Sequence, residues 1–198
     1  MGAPESSGRS SLLVGVISDT HGHLYSDVKE LLRGVDHIVH AGDICSVSLL
    51  TELRGIAPVT AVRGNCDVGA WAEALPARAE VRLGGVRIQV VHVGGRMGGR
   101  YRGIEAARQE PDSDAPHVVI SGHSHQPMIE ERDDVLLLNP GSAGPRRWGR
   151  PRTMAYLRIT PAQESHGGAD SAGQDGQGGE HCEDCAAHFS AEIVVLEG

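Results

Sequence analysis

The stretch Leu12-Leu13-Val14-Gly15-Val16-Ile17-Ser18-Asp19-Thr20-His21-Gly22-His23-Leu24 decides how the rest of the chain is read. Its β-branched run over Leu12–Ser18 predicts a strand, and Leu24, Val28, Leu31 and Leu32 then share one face of a helix over Leu24–Arg33. Between them lies a short polar loop, SDTHGH, that carries Asp19 and His21. The same β-then-α rhythm continues downstream. A strand is expected at His37–His40, a helix at Val47–Arg54, and a strand at Val59–Arg63 after Pro58. Such alternation implies parallel pairing with helical crossovers.

From Glu80 the pattern changes. Glu80–Leu83 and Val86–Val93 flank Gly84-Gly85, a dipeptide that supplies the positive φ angles of a tight hairpin. A weaker helical pattern at Ile104–Gln109 leads to the apolar strand His117–Ile120. Met128–Glu131 and Val135–Leu138 are joined across Asp133-Asp134, and Thr153–Thr160 follows. Roughly ten strands and three helices result. Residues Pro161–Asp184 are dominated by Gly, Ser, Gln, Asp and Glu, a composition unable to offset the entropy of ordering, and predict a disordered insertion. Phe189–Leu196 regains strand character and is expected to pair with Thr153–Thr160 as a closing hairpin. No internal repeat is present.

At 198 residues and 39% hydrophobic content, the expectation is one domain over 12–198 after a disordered segment at 1–11. The formal charge of −8 argues against a general nucleic-acid binder, which needs a basic footprint. The apolar run Leu12–Ile17 is too short for a signal-peptide core or a membrane span, so a cytoplasmic protein is expected. Cys45, Cys66, Cys182 and Cys185 are too few and too unevenly spaced for a secreted disulfide scaffold.

The residues able to bind metal fall just after predicted strands, where open α/β sheets place their ligand loops. Asp19 and His21 follow the first strand and Asp43 the second. Asn65 follows the third, His92 ends the hairpin strand, and His123 with His125 follow the next one. Any one of these clusters is weak; the ordered set is much stronger. Carboxylate, imidazole and amide ligands together suit Mn, Fe, Ni or Zn, and the lack of a cysteine cluster in the set argues against a structural zinc site.

In this order the residues resemble the calcineurin-like metallophosphoesterases. Their D-x-H, G-D, G-N, lone His and G-H-x-H pattern reads here as Asp19/His21, Gly42-Asp43, Gly64-Asn65, His92 and Gly122-His123-Ser124-His125. The G-N-C-D form at Gly64–Asp67 and the L-N-P-G-S loop at Leu138–Ser142 are similar to the small single-domain phosphodiesterase branch, which also holds the retromer subunit of like fold. The resemblance implies an α/β fold of two facing mixed β-sheets flanked by helices, a four-layer αββα sandwich. It implies that Asp19, His21, Asp43 and His125 hold one divalent ion and that Asp43, Asn65, His92 and His123 hold the other. Asp43 would bridge, and a small phosphodiester would be cleaved by a hydroxide shared between the ions. Asp43 and Asn65 are thus candidate catalytic residues, with Asn65 also touching substrate.

Departures from the pattern shape further expectations. Many relatives carry a proton-donating His after the G-N asparagine, where this chain has Cys66, so the general acid is open and His23 is the substitute candidate. Val93 stands after His92 where many relatives have Gly. Arg96 and Arg100, in a Gly-rich loop, are candidate phosphate contacts, and Arg146, Arg147, Arg150 and Arg152 around Trp148 pose the same choice between substrate contact and solvated charge. His40 reads as a buried hydrogen-bonding histidine and Asn139 as a cap of its own turn. The tail cluster His181, Cys182, Cys185 and His188 is a poor zinc site, because adjacent His181 and Cys182 cannot easily serve one tetrahedral ion. Two other readings stay open: a non-catalytic interaction scaffold of the same fold, and a nuclease. The expected partner is a small phosphate ester, without membrane or nucleic acid, and the sequence leaves a homo-oligomer open.

Overall fold

The computed structural model describes residues 11–94, 96–97, 100–101, 116–147, 149–162 and 187–197. Along β1 (Leu12–Ile17) successive side chains point to opposite faces of a sheet and enter two different cores. Val14 and Val16 pack with Ile88, Val90, Ile120, Leu138 and Leu157 in the space between two sheets. Ile17 joins Val28, Leu32, Ile38, Leu53 and Met154 in the layer between one sheet and two helices. Full burial of each such side chain contributes about 1.5–3 kcal/mol. Gly15 is small for a reason: a Cβ there would stand 2.4 Å from Leu32 Cδ2, so its absence lets the first helix lie close on the sheet.

The elements follow as α1 (Ser26–Leu32), β2 (His37–His40), α2 (Val47–Arg54), β3 (Val59–Ala61), α3 (Ala70–Glu73), β4 (Arg78–Leu83) and β5 (Val86–Val91). Then come β6 (Arg96–Met97), β7 (Arg100–Tyr101), β8 (Val118–Ile120), β9 (Met128–Arg132), β10 (Val135–Asn139), β11 (Arg152–Thr160) and β12 (His188–Leu196). The first five-stranded sheet has the order β12-β11-β1-β2-β3 and the second β4-β5-β8-β10-β9. Strands β1, β2 and β3 run parallel, as do β5, β8 and β10, while β11, β12, β4 and β9 pair antiparallel, so both sheets are mixed. The result is an α/β sandwich of two facing sheets, with α1 and α2 covering the outer face of the first. Val119, Val135 and Leu137 form a smaller cluster on the outer face of the second.

Both predicted hairpin turns use left-handed backbone, at Gly84 (φ 54°) with Gly85 (φ 84°), and at Asp133 (φ 52°) with Asp134 (φ 62°). The closing hairpin pairs Arg152–Thr160 with His188–Leu196 residue for residue. Strand β3 stops at Ala61 rather than Arg63, and β5 at Val91 rather than Val93, because the chain turns there to present Asn65 and His92. The helix α3 and the β6–β7 ribbon were not expected; two to four residues give no periodic signal. The helix expected at Ile104–Gln109, the segment 1–10 and residues 163–184 of the 161–184 insertion lie outside the described residues.

Candidate metal centre

Every parallel strand ends toward one crevice, and the loops beyond those ends carry the polar residues. After β1 come Asp19 and His21, after β2 Asp43, after β3 Asn65, after β5 His92, and after β8 His123 and His125. Three of these loops share a backbone device. Asp19 and His21 (φ 53° and 46°), Asp43 and Cys45 (55° and 60°), and His123 and His125 (67° and 54°) all sit in the left-handed region. Of these six, Asp19, His21, Asp43, His123 and His125 bring side-chain atoms into the groups below, while Cys45 Sγ lies 3.8 Å from His21 Nδ1.

The atoms meet in two groups. In the first, His125 Nε2 lies 3.3 Å from His21 Nε2 and 3.3 Å from Asp19 Oδ1. In the second, Asn65 Oδ1 lies 2.9 Å from both His92 Nε2 and His123 Nδ1, and His92 Nε2 lies 3.3 Å from Asp43 Oδ1. Asp43 joins the groups: ligand-type atoms of Asp19, Asp43 and His92 fall within 4.8 Å of one another, as do those of His21, Asp43 and Cys66. Asp19, Asp43, His92 and His125 are buried at the floor, while Asn65 and His123 are exposed at the rim.

The charge balance at this floor calls for a cation. Asp19 Oδ1 is buried with no hydrogen-bond partner, and burial raises its carboxyl above the usual range. Its other oxygen accepts from the His123 N–H at 3.0 Å. His92 Nδ1 donates to Ala41 O at 2.7 Å and its Nε2 faces Asn65 Oδ1 and Asp43 Oδ1, so with no cation between them this nitrogen meets only acceptors and takes up a proton to bond them. Burial pulls His92 down, but its hydrogen bonds to Asp43 and Ala41 outweigh that and raise it. Burial lowers His21 and His125, keeping both imidazoles neutral. For Asp43, burial would raise the carboxyl, yet hydrogen bonds from His92 and the Cys66 N–H hold it well below the carboxylate range. Carboxylate, amide and neutral imidazole donors that converge with too few protons among them fit divalent metal ions.

Residues behind this floor fix the loops. Asp67, the last residue of G-N-C-D, accepts from Cys45 N at 2.6 Å and Gly64 N at 2.7 Å, tying two ligand-bearing loops together. Sequence reading quoted Asp67 but gave it no role; its motif position was the available signal. Asn139 accepts from Gly141 N at 2.9 Å, as a turn cap does, and also donates to Gly122 O at 2.8 Å, bracing the His123–His125 loop. Ser142 Oγ donates to Asp19 O at 2.9 Å.

His40 is fully buried and hydrogen-bonded, as expected: Gly42 N donates to Nδ1 at 3.2 Å, so Nε2–H donates to Thr20 Oγ1 at 2.9 Å. Burial lowers its pKa from 6.5 to about 3. Below pH 6.5 the unfolded chain therefore binds a proton that the folded chain refuses, and stability complete above that pH is lost as pH falls toward 3. Chemical denaturation of the chelator-treated protein at pH 7.5 and pH 5 should show a stability difference about 2 kcal/mol larger than in His40→Gln. Equal differences would remove His40 as the source.

The remaining candidates lie outside the two groups. His23 is exposed; its Nδ1–H donates to His21 O at 2.9 Å, its ring stacks near Tyr25, and it lines a cavity with Lys29, Ser48 and Glu52. Cys66 is exposed beside Asn65, whose Nδ2 lies 3.3 Å from its sulfur, and burial and Asp43 push its thiol up. Cys45, which sequence reading passed over, lies 3.8 Å from His21 Nδ1 and is pushed up to about 11 by burial, Asp67 and Asp43. Arg96 and Arg100 fall in β6 and β7 just beyond His92, and their expected phosphate contacts rest on side chains outside the described residues. So do His181, Cys182 and Cys185, while His188 opens β12 as an exposed residue.

Residues 12–161 match the calcineurin-like phosphoesterase superfamily domain. Over 157 residues the chain is 39% identical to a Methanothermobacter thermautotrophicus protein named "Probable metallophosphoesterase", covering 75% of this chain and 86% of that one. It is 30% identical over 163 residues to phosphodiesterase YfcE of Escherichia coli, covering 71% and 84%. Among solved structures, vacuolar protein sorting 29 from Cryptosporidium parvum aligns with a TM-score of 0.63 over 93% of this chain and 98% of that one, a likeness of fold at 18% identity.

Proposed function

The chain belongs to the calcineurin-like phosphoesterase superfamily, and on that premise we propose that it hydrolyses small phosphodiesters at a pair of divalent ions. Asp19, His21, Asp43 and His125 would hold one ion, and Asp43, Asn65, His92 and His123 the other. The observation that carries this reading is the place of Asp43, whose carboxylate has His21 and Cys66 within 4.8 Å in one cluster and Asp19 and His92 in another. A shared carboxylate between two donor sets suits two ions better than one. Mn is the ion we propose, with Ni, Fe and Zn as alternatives that suit the same mixed donor set.

Ions so held would supply an acidified water and would stabilise charge on the entering and leaving oxygens of an in-line displacement. The chain's own residues do the positioning. Asp67 and Asn139 lock the ligand loops, so the donors keep their places before any ion arrives. Asn65 turns Oδ1 to the floor and Nδ2 toward the rim, where the amide N–H can meet a phosphoryl oxygen. Arg96 and Arg100 are further phosphate contacts in this reading. His23, hydrogen-bonded to the His21 carbonyl, steadies the loop rather than protonating the leaving group. With Cys66 in place of a proton donor, esters with good leaving groups are the favoured substrates. No helix among the described residues is long and apolar enough to cross a membrane.

The test strips the protein with a chelator, restores Mn, Ni, Zn or Mg, and measures bound metal and hydrolysis of bis-p-nitrophenyl phosphate. About two equivalents of Mn per chain and restored turnover are expected. Neither uptake nor turnover with any ion is the result the interaction-scaffold reading requires, and it would displace this one.

A further inference from the structure

Resting on the phosphodiesterase reading, we propose that the arginine-bearing surface beside His125 is a second anion subsite, selecting diesters that carry an additional phosphate group away from the scissile one. His125, Arg146, Arg147, Arg150 and Arg152 line one small cavity there, about 10 Å³ and so room for little more than a water, and the phosphate would therefore sit on the exposed side chains of Arg146, Arg147 and Arg150. His125 is the link, since its Nε2 belongs to the converging group of the metal centre.

The four arginines are not alike. Arg152 is a structural residue: its side chain is 5% exposed, Nη2 donates to both oxygens of Asp27 at 2.7 and 2.9 Å, and its guanidinium lies 3.9 Å over the Tyr25 ring. Arg146, Arg147 and Arg150 are exposed, and no carboxylate among the described residues pairs with them. Arg150 N donates to Arg147 O at 3.1 Å, and Pro145 and Pro151 flank the three arginines in the chain. Three like charges within five residues repel one another in a chain whose net charge is −8. A bound phosphate relieves that repulsion, and guanidinium forks match its oxygens. The charge of Arg147 also reaches His21 and His125, placing the subsite within electrostatic range of the metal centre. The centre's carboxylates, imidazoles and amide face the scissile group, which leaves the arginines free for a different one.

The matched probes are thymidine 5′-(p-nitrophenyl phosphate) and the same ester bearing a 3′-phosphate; both release p-nitrophenolate from an identical diester. The phosphorylated ester should show a kcat/KM roughly tenfold higher, mainly through KM, and the preference should shrink with added salt. In Arg147→Ala/Arg150→Ala the ratio should approach one, while Arg147→Lys keeps part of it. A second arm measures equilibrium binding of thymidine 3′,5′-bisphosphate and thymidine 5′-monophosphate to metal-free protein, where the bisphosphate should bind more tightly. Equal kcat/KM for the two esters in the wild type, or an unchanged ratio in the double variant, overturns the subsite and leaves the phosphodiesterase reading standing. No turnover of either ester with any metal overturns that reading instead, and tighter bisphosphate binding would then still support the anion site, whereas equal binding would overturn it as well.

Discussion

Asp43→Ala is expected to lose metal and turnover together, with kcat/KM on bis-p-nitrophenyl phosphate down by at least about 10³-fold. The carboxylate faces both converging sets and is the proposed shared ligand, so its removal takes a ligand from each proposed ion at once. It also strips the acceptor from Cys66 N, which now donates to Oδ1 at 2.8 Å, and leaves His92 Nε2 without the charge that raises its proton affinity. Asp43→Asn keeps the shape and the acceptor while discarding the charge, so it separates electrostatics from loop geometry. Bound metal by elemental analysis, kcat/KM and a thermal melt form the readout. A folded variant that still binds two ions and still turns over would strip Asp43 of the bridging role.

Gly64→Ala should be nearly as damaging, though it deletes no functional group. A Cβ there would stand 2.1 Å from both the backbone N and the Oδ1 of Asp43. The clash involves backbone, so no rotamer change relieves it. Separating the loops would break the clamp in which Asp67 accepts from Gly64 N at 2.7 Å and Cys45 N at 2.6 Å. A loss of about 3 kcal/mol or more in stability is expected, with activity down by more than about 100-fold even where the variant stays folded. Gly22→Ala is the control: its φ of +80° brings strain, but a Cβ there meets nothing within 4 Å. If both variants behave alike, close packing at Gly64 is not what the motif glycine provides.

The contrast between these glycines marks what could be read from the chain alone. The strands that carry candidate ligands were legible because β1, β2, β5 and β8 are apolar runs that stop abruptly at polar residues. The closing hairpin was legible across an intervening polar stretch for the same reason, since Phe189–Leu196 and Thr153–Thr160 have strand character on either side. Partnerships at long range were not. Nothing local says that Asp67 spans two loops, that Asn139 braces the turn at Gly122, or that Arg152 pairs with Asp27, 125 residues away. The arginine cluster shows the limit well: sequence treated its members as one ambiguous group, whereas burial and pairing set Arg152 apart from Arg146, Arg147 and Arg150.

The left-handed turns beneath the centre carry a cost for the fold. Asp19, His21, Asp43, Cys45, His123 and His125 hold φ values that non-glycine residues adopt reluctantly, at roughly 1 kcal/mol or more apiece. Glycine at Asp19, His21, Asp43, His123 or His125 would relieve that strain while removing a proposed metal ligand. In the proposed hydrolase, thermostability and catalysis therefore pull in opposite directions at these positions, and a descendant released from hydrolysis should drift there toward glycine and asparagine.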